Sequence, residues 1–100
     1  MPLGSANAYS RSTGRSGSAW RYSTASSARD RAIYHCNNRD CVVDVLVQNQ
    51  CAALARKRNS YSFVTTGVHP NSRSAAGNKA MAACGSNCQL VATICSNADN

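Results

Sequence analysis

The sequence predicts an α+β fold, internally duplicated and stapled by disulfides. Three observations carry that expectation. The two halves of the chain repeat one another, each half reads as strand, turn, strand, helix, strand, and the six cysteines fall at matching places in the repeat. The result is about six strands with two helices packed on the sheet.

Residues 7–51 laid over 52–95 show the repeat. Tyr9-Ser10-Arg11 falls near Leu54-Ala55-Arg56, and Ala19-Trp20-Arg21-Tyr22 on Tyr61-Ser62-Phe63-Val64. Ser27-Ala28 through Cys36 matches Ser74-Ala75 through Cys84. Cys41 with its hydrophobic run matches Cys88 with its own, and Cys51 matches Cys95. The first five residues, Met1-Pro2-Leu3-Gly4-Ser5, read as a cloning scar and are set aside. The remainder reads as a single domain over residues 6–97, made of repeats 6–51 and 52–95, with 98–100 as a frayed tail.

In order, residues 7–11 and 18–23 alternate around a turn rich in Ser and Gly, a hairpin signature. Its counterpart pairs residues 52–56 with 61–66 across Lys57-Arg58-Asn59. The spacing predicts a helix from Ser26 or Ser27, where Ser27 and Asp30 form an S-x-x-D capping pattern. Ala28, Ala32, Ile33 and Cys36 lie near one face of it. Pro70-Asn71-Ser72 precede the second helix, Ala76, Ala80, Met81 and Cys84 supply its inner face, and Gly85 stops it. Val42-Val43-Asp44-Val45-Leu46-Val47 is the most β-like stretch and is expected in a central strand. Strict alternation puts Val43, Val45 and Val47 on one face, with Asp44 on the other, either as a partner for an arginine or on a partly open sheet face. Leu90, Ala92 and Ile94 form the matching face of the last strand.

The core implied by this composition is lean. Of 100 residues and 10.6 kDa, 43% are hydrophobic, but one Phe, one Trp, two Met and four Tyr leave much of that share to alanine and cysteine. A single domain of this size is marginal without cross-links. No run approaches the roughly 20 apolar residues of a membrane span. The even cysteine count points to an oxidising compartment, secreted or periplasmic. Cys36, Cys41, Cys84 and Cys88 could instead hold zinc. That reading would leave Cys51 and Cys95 over, and the spacings are not those of a zinc knuckle. Among the disulfide pairings that survive exchange of the halves, the simplest is Cys36–Cys41, Cys84–Cys88 and Cys51–Cys95.

The cysteine pairs, the hydrophobic strand, Cys51-Ala52-Ala53-Leu54-Ala55, the aromatic strand, Ala80 and Ala82-Ala83-Cys84 with Cys88 and Cys95 resemble a bacterial secreted family. It is known only as domain of unknown function 4189. The resemblance covers roughly Ala6 to Cys95. Family members carry a Gly-Ala-Ile-Ala opening and tryptophans in the strands; here stand Asn7-Ala8-Tyr9-Ser10 and Phe63, so the match is divergent. The resemblance implies export and a host-facing, antigenic or envelope role, and it brings no catalytic residues.

Chemistry is sparse. There is no glutamate, and the four aspartates are Asp30, Asp40, Asp44 and Asp99, too few for a positioned carboxylate pair. His35 and His69 are the only histidines, and both read as surface residues. Cys36 next to His35 reads as a disulfide half, and no nucleophile elbow or phosphate-cradling loop is present. No catalytic residue, metal or cofactor is expected. Eleven Lys and Arg against four Asp give a net charge of +7, a surface that attracts anions. Arg11 and Arg15 mark one hairpin tip and Arg56, Lys57 and Arg58 the other, the candidate anion-binding residues. Trp20 and Phe63 are expected in the core. The expectation is a secreted or periplasmic non-enzymatic binding module. Its partner is an unknown protein or an anionic polymer: a polysaccharide, a lipid head group or a nucleic acid. The alternative is a small secreted hydrolase or toxin acting on nucleic acid.

Overall fold

The computed structural model describes residues 4–96. The elements run β1 (Gly4–Tyr9), β2 (Ser16–Tyr22), α1 (Ala25–Cys36), β3 (Val42–Gln48), β4 (Cys51–Lys57), β5 (Ser60–His69), α2 (Arg73–Cys84) and β6 (Cys88–Cys95). The strands divide into two antiparallel three-stranded sheets, ordered β2-β1-β3 and β5-β4-β6. Each half of the chain builds one sheet and lays its helix on the outer face. β6 crosses β2 and β1, and β3 crosses β4, so the sheets face each other and the layers run α1, sheet, sheet, α2.

The central strand of each sheet is the first of its half. β1 reads GSANAY and is buried throughout, and β4 is buried from Cys51 to Ala55. A strand covered on one face by a helix and on the other by a second sheet has room only for small side chains on at least one face. Ala6 and Ala8 pack on Ala28 and Ala32 of α1, and Ala53 and Ala55 on Ala76 and Ala80 of α2. Between the sheets lie Val45, Val47, Ala52 and Ile94, with Val68 against them. Gly17 and Gly67 bring the outer strands up against the helices. A Cβ on Gly17 would strike the backbone of Ala32 and Cys36, and one on Gly67 that of Ala76 and Ala80.

β3 lies at a sheet edge, not at the centre, with Val42 and Leu46 exposed. Its β-branched residues suit an edge that packs one face, whereas the doubly covered position demands alanine. The valine alternation also breaks. Asn7 pairs with Val45 but Ala8 pairs with Val43, so Asp44 is an extra residue, a β-bulge. Val43 therefore turns toward α1, while Val45 and Val47 turn between the sheets. β6 bulges at the corresponding place: Leu54 pairs with Ala92 and Ala55 with Leu90, leaving Val91 extra. Leu90 thus faces α2, separated from Ala92 and Ile94.

Helix α1 begins earlier than expected. Thr24 is its N-cap, with a hydroxyl that accepts from the Ser27 N–H, and Asp30 takes no part in the cap. Ser72 caps α2 through the Ala75 N–H. Asn37 and Gly85 close the two helices at positive φ.

Three disulfides join Cys36–Cys41, Cys84–Cys88 and Cys51–Cys95. The first two tie each helix end to the strand after it. The registers place the third differently from the sequence repeat. Cys51 faces Cys95 across β4 and β6 as Gly4 faces Gln48 across β1 and β3. The long staple therefore belongs to the second half alone, and its counterpart in the first half is a glycine and a glutamine. Beside it, Gln50 and Ser96 exchange three hydrogen bonds that fix the turn between sheets to the end of β6.

Of the stretch set aside as a scar, Met1 to Leu3 lie outside the described residues, as does the 98–100 tail. Gly4 and Ser5 belong to β1, and Ser5 is fully buried, so the fold starts before Ala6.

Candidate basic tip

β1 and β4 both end at the same end of the sandwich, and their hairpin tips meet there. Gly14, at φ 77°, passes so close to Tyr61 that a Cβ would lie 2.6 Å from its Cδ1. Tyr9, at the end of β1 and wholly buried, feels the charges of both Arg56 and Arg11. Burial pushes its hydroxyl above the ordinary value of 10.0, outweighing those two cations. That hydroxyl finds no hydrogen-bond partner among the described residues.

The five candidate cations have different tasks. Arg11 reaches Asp44 at 2.7 Å with one guanidinium nitrogen and at 3.5 Å with another. Of the two settings expected for the lone acid of the valine strand, an arginine partner or an open sheet face, it has the arginine partner. Arg15 donates to the carbonyl of Asn37 at the C-terminus of α1, at 3.2 Å. Lys57 donates to Ser86 just beyond α2, at 2.7 Å, and lies 5.4 Å from the Phe63 ring centre. Both cations sit at the negative ends of helices, where charge is favoured. Arg56 stacks 4.9 Å from the centre of the Tyr61 ring and donates to the carbonyls of Lys57 and Arg58. Arg58 is exposed, and its backbone N–H donates to Asn87. The hairpin loop holding Arg11 and Arg15 is fixed by Asp40, which accepts from the Ser10 hydroxyl at 2.5 Å, the Ser12 N–H at 3.2 Å and Asn38. These bonds, that of Ser10 foremost, hold the Asp40 carboxyl well below the usual carboxylate range.

Trp20 and Phe63 are surface residues rather than core: Trp20 is 53% exposed and Phe63 46%. Tyr61 is 48% exposed. Cations and the open rings of Tyr61 and Phe63 share this end of the molecule, while Trp20 lies along β2 toward the other end. The sequence placed the cations at the tips; nothing in it marked Trp20 as exposed, because its place on an edge strand is decided by sheet order.

The histidines lie far apart. His35 is in the last turn of α1, beside Gly17. His69 pairs with Cys51 at the opposite end of β4 from Lys57, roughly 20 Å away at the usual strand rise. The His69 Nδ1 accepts from the N–H groups of Asn71 and Ser72, which fixes the entry to α2. Among the described residues, no group of three or more His, Cys, Asp or Glu side chains is placed to hold a metal ion. No helix there is long and apolar enough to cross a membrane.

A family model described as Domain of unknown function (DUF4189) matches residues 5–95. Neither the curated proteins nor the solved structures give a significant match.

Proposed function

The chain belongs to this family of domains of unknown function, and from that premise we propose that it is an exported, non-catalytic module that binds an anionic partner through its basic tip. The convergence of two hairpin tips carries the reading. Arg11 and Arg56 flank the buried Tyr9, with Arg58, Tyr61 and Phe63 open beside them. Three disulfides fit an oxidising compartment, secreted or periplasmic. The distance between His35 and His69 supports a binding role over acid–base catalysis by that pair.

The tip is built to present charge rather than to bury it. Arg15 and Lys57 close helix ends through carbonyl groups rather than acids, and Arg56 is held flat against a ring. Among the described residues, Arg11 alone of the five has a carboxylate partner, Asp44. Such a surface gains affinity by displacing counterions, so binding weakens as salt rises.

The test is binding of a sulfated or uronic-acid polysaccharide, measured by calorimetry from low to physiological salt. Arg56→Ala with Arg58→Ala is expected to weaken binding by about tenfold and to flatten its salt dependence, with the melting temperature little changed. Salt-independent binding, or an unaffected double variant, would count against the tip.

A further inference from the structure

A second feature lies along β2, outside the tip. Ser18, Ala19, Trp20, Tyr22 and His35 line a cleft of about 230 Å³ between the free edge of β2 and the last turn of α1. Trp20 stands 53% exposed at its wall. A backbone irregularity just after it turns Tyr22, another residue of the lining, back to the helix side with Ala19. Ala6 pairs with Ala19 but Gly4 pairs with Tyr22, so one residue at Trp20–Arg21 is extra. Arg21 adopts φ 62°, a left-handed conformation that glycine usually fills at such bulges. Its N–H donates to the buried Ser5 hydroxyl, which locks the bulge. Bulges of this type re-aim side chains, and strain of this kind gathers at binding sites.

We propose that this cleft is a sugar subsite, taking one pyranose ring of an acidic polysaccharide whose charged groups run on to the basic tip. The proposal names the class of the anionic partner and rests, for the polymer's charge, on the reading of the tip. The cleft has the chemistry such a ring needs. An open indole offers a flat apolar surface to the C–H face of the sugar. The His35 imidazole and the Ser18 hydroxyl offer hydrogen bonds to its hydroxyls. The Ser18 proton already goes to Asn7 at 2.6 Å, which leaves the Ser18 oxygen to accept. The volume suits one ring and not a folded peptide. The tip is within a polymer's reach of the cleft, since Arg15 lies only three residues before Ser18, about 10 Å along an extended chain. A nucleobase would also stack on Trp20. The cleft's lining, however, offers no carboxylate or side-chain amide to read a base edge.

The chain has a single tryptophan, so its emission reports occupancy of the cleft directly. Titration with a tetragalacturonate is expected to give a saturable change in Trp20 emission. His35→Ala should weaken that titration about tenfold, the equivalent of one good hydrogen bond to the sugar. Trp20→Ala, followed by calorimetry, should weaken binding at least as much. Both side chains are exposed, and circular dichroism with intact mass checks that the variants keep fold and disulfides. If calorimetry shows salt-sensitive binding while Trp20 emission is flat and Trp20→Ala binds normally, the cleft proposal is overturned and the tip reading survives. If emission changes but Arg56→Ala with Arg58→Ala binds as the native protein at every salt, the tip reading fails and the cleft stands. If a single-stranded oligothymidylate perturbs Trp20 as strongly as the sugar, the site is a base-stacking platform and the sugar assignment is overturned.

Discussion

Arg11 and Asp44 meet at 2.7 Å, and Asp44 is the extra residue of a bulge in β3. The corresponding bulge in β6 carries Val91. The bulge itself therefore does not need the charge, and the acid is an addition made in the first half alone. Arg11 is 41% exposed and Asp44 11%. A pair of that kind is worth about 1 kcal/mol at most, because water screens its outer member. Asp44→Val is expected to cost about that much or less in urea unfolding. It also releases one positive charge at the tip, so affinity for an acidic polysaccharide should rise at low salt. A loss of affinity would show that Asp44 orients Arg11 for the ligand.

Gly17 is expected to be the least tolerant position in the first half. Its Cβ would enter the backbone of Ala32 and Cys36, and no side-chain motion relieves a backbone collision. Gly17→Ala should cost about 3 kcal/mol or more, enough to unfold a lean domain, whereas alanine already stands two residues on at the buried Ala19. Gly67→Ala should behave alike against Ala76 and Ala80. The measurement is the thermal midpoint of each oxidised variant.

How much of this was legible from the residues depended on distance along the chain. The helices, the stop at Gly85 and the hairpins announce themselves through a few neighbouring residues, and the repeat made the elements visible twice. The bulges at Asp44, Val91 and Trp20–Arg21 do not. Each is a single extra residue that only a partner strand reveals, yet each reverses the faces beyond it. For this reason Val43, Leu90 and Tyr22 turned toward the helices. The place of β3 escapes the sequence for a second reason. Valine signals a strand strongly, but position in a sheet covered on both sides is decided by how little space remains, and there alanine prevails. Cys51 and Cys95 match in sequence order, but strand register gives Gly4 and Gln48 as their counterparts.

The staples are expected to differ in worth. Cys51–Cys95 closes a separation of 44 residues, and Cys36–Cys41 and Cys84–Cys88 close separations of 5 and 4. On the chain-entropy account the long loop contributes about 4 kcal/mol and each short one about 2. Cys51→Ala with Cys95→Ala should therefore lower the melting midpoint more than either short pair replaced in the same way. Because the long staple lies wholly within β4 and β6, its loss should first loosen the second sheet. Hydrogen exchange would show that as faster exchange in β4 and β6 than in β1 and β3.

Two groups give the protein opposite pH edges. The Asp40 carboxyl is held below its ordinary value of 3.8 by bonds from Ser10, Ser12 and Asn38. A depressed acid stabilises the fold above the unfolded value, and that contribution is lost as pH falls below 3.8 toward the folded-state value. Asp40→Asn should flatten this acid edge, and the loop holding Arg11 and Arg15 should be where the native protein loosens.

Tyr9 works in the other direction. Burial raises its hydroxyl above 10.0, so the fold favours the neutral form. The associated stability is fully present below pH 10 and is lost as pH rises through the folded-state value. The hydroxyl also has no partner among the described residues, so its burial is a cost without a compensating bond. Tyr9→Phe keeps the ring between the sheets and removes that cost. The variant should be as stable as the native protein at neutral pH or more stable by about 1 kcal/mol, and it should lose less stability above pH 10. Denaturant midpoints at about pH 7 and above pH 10 measure both effects. Destabilisation at neutral pH would instead assign the Tyr9 hydroxyl a bonded role at the meeting of the two tips, and with it a part in holding Arg11 and Arg56 together.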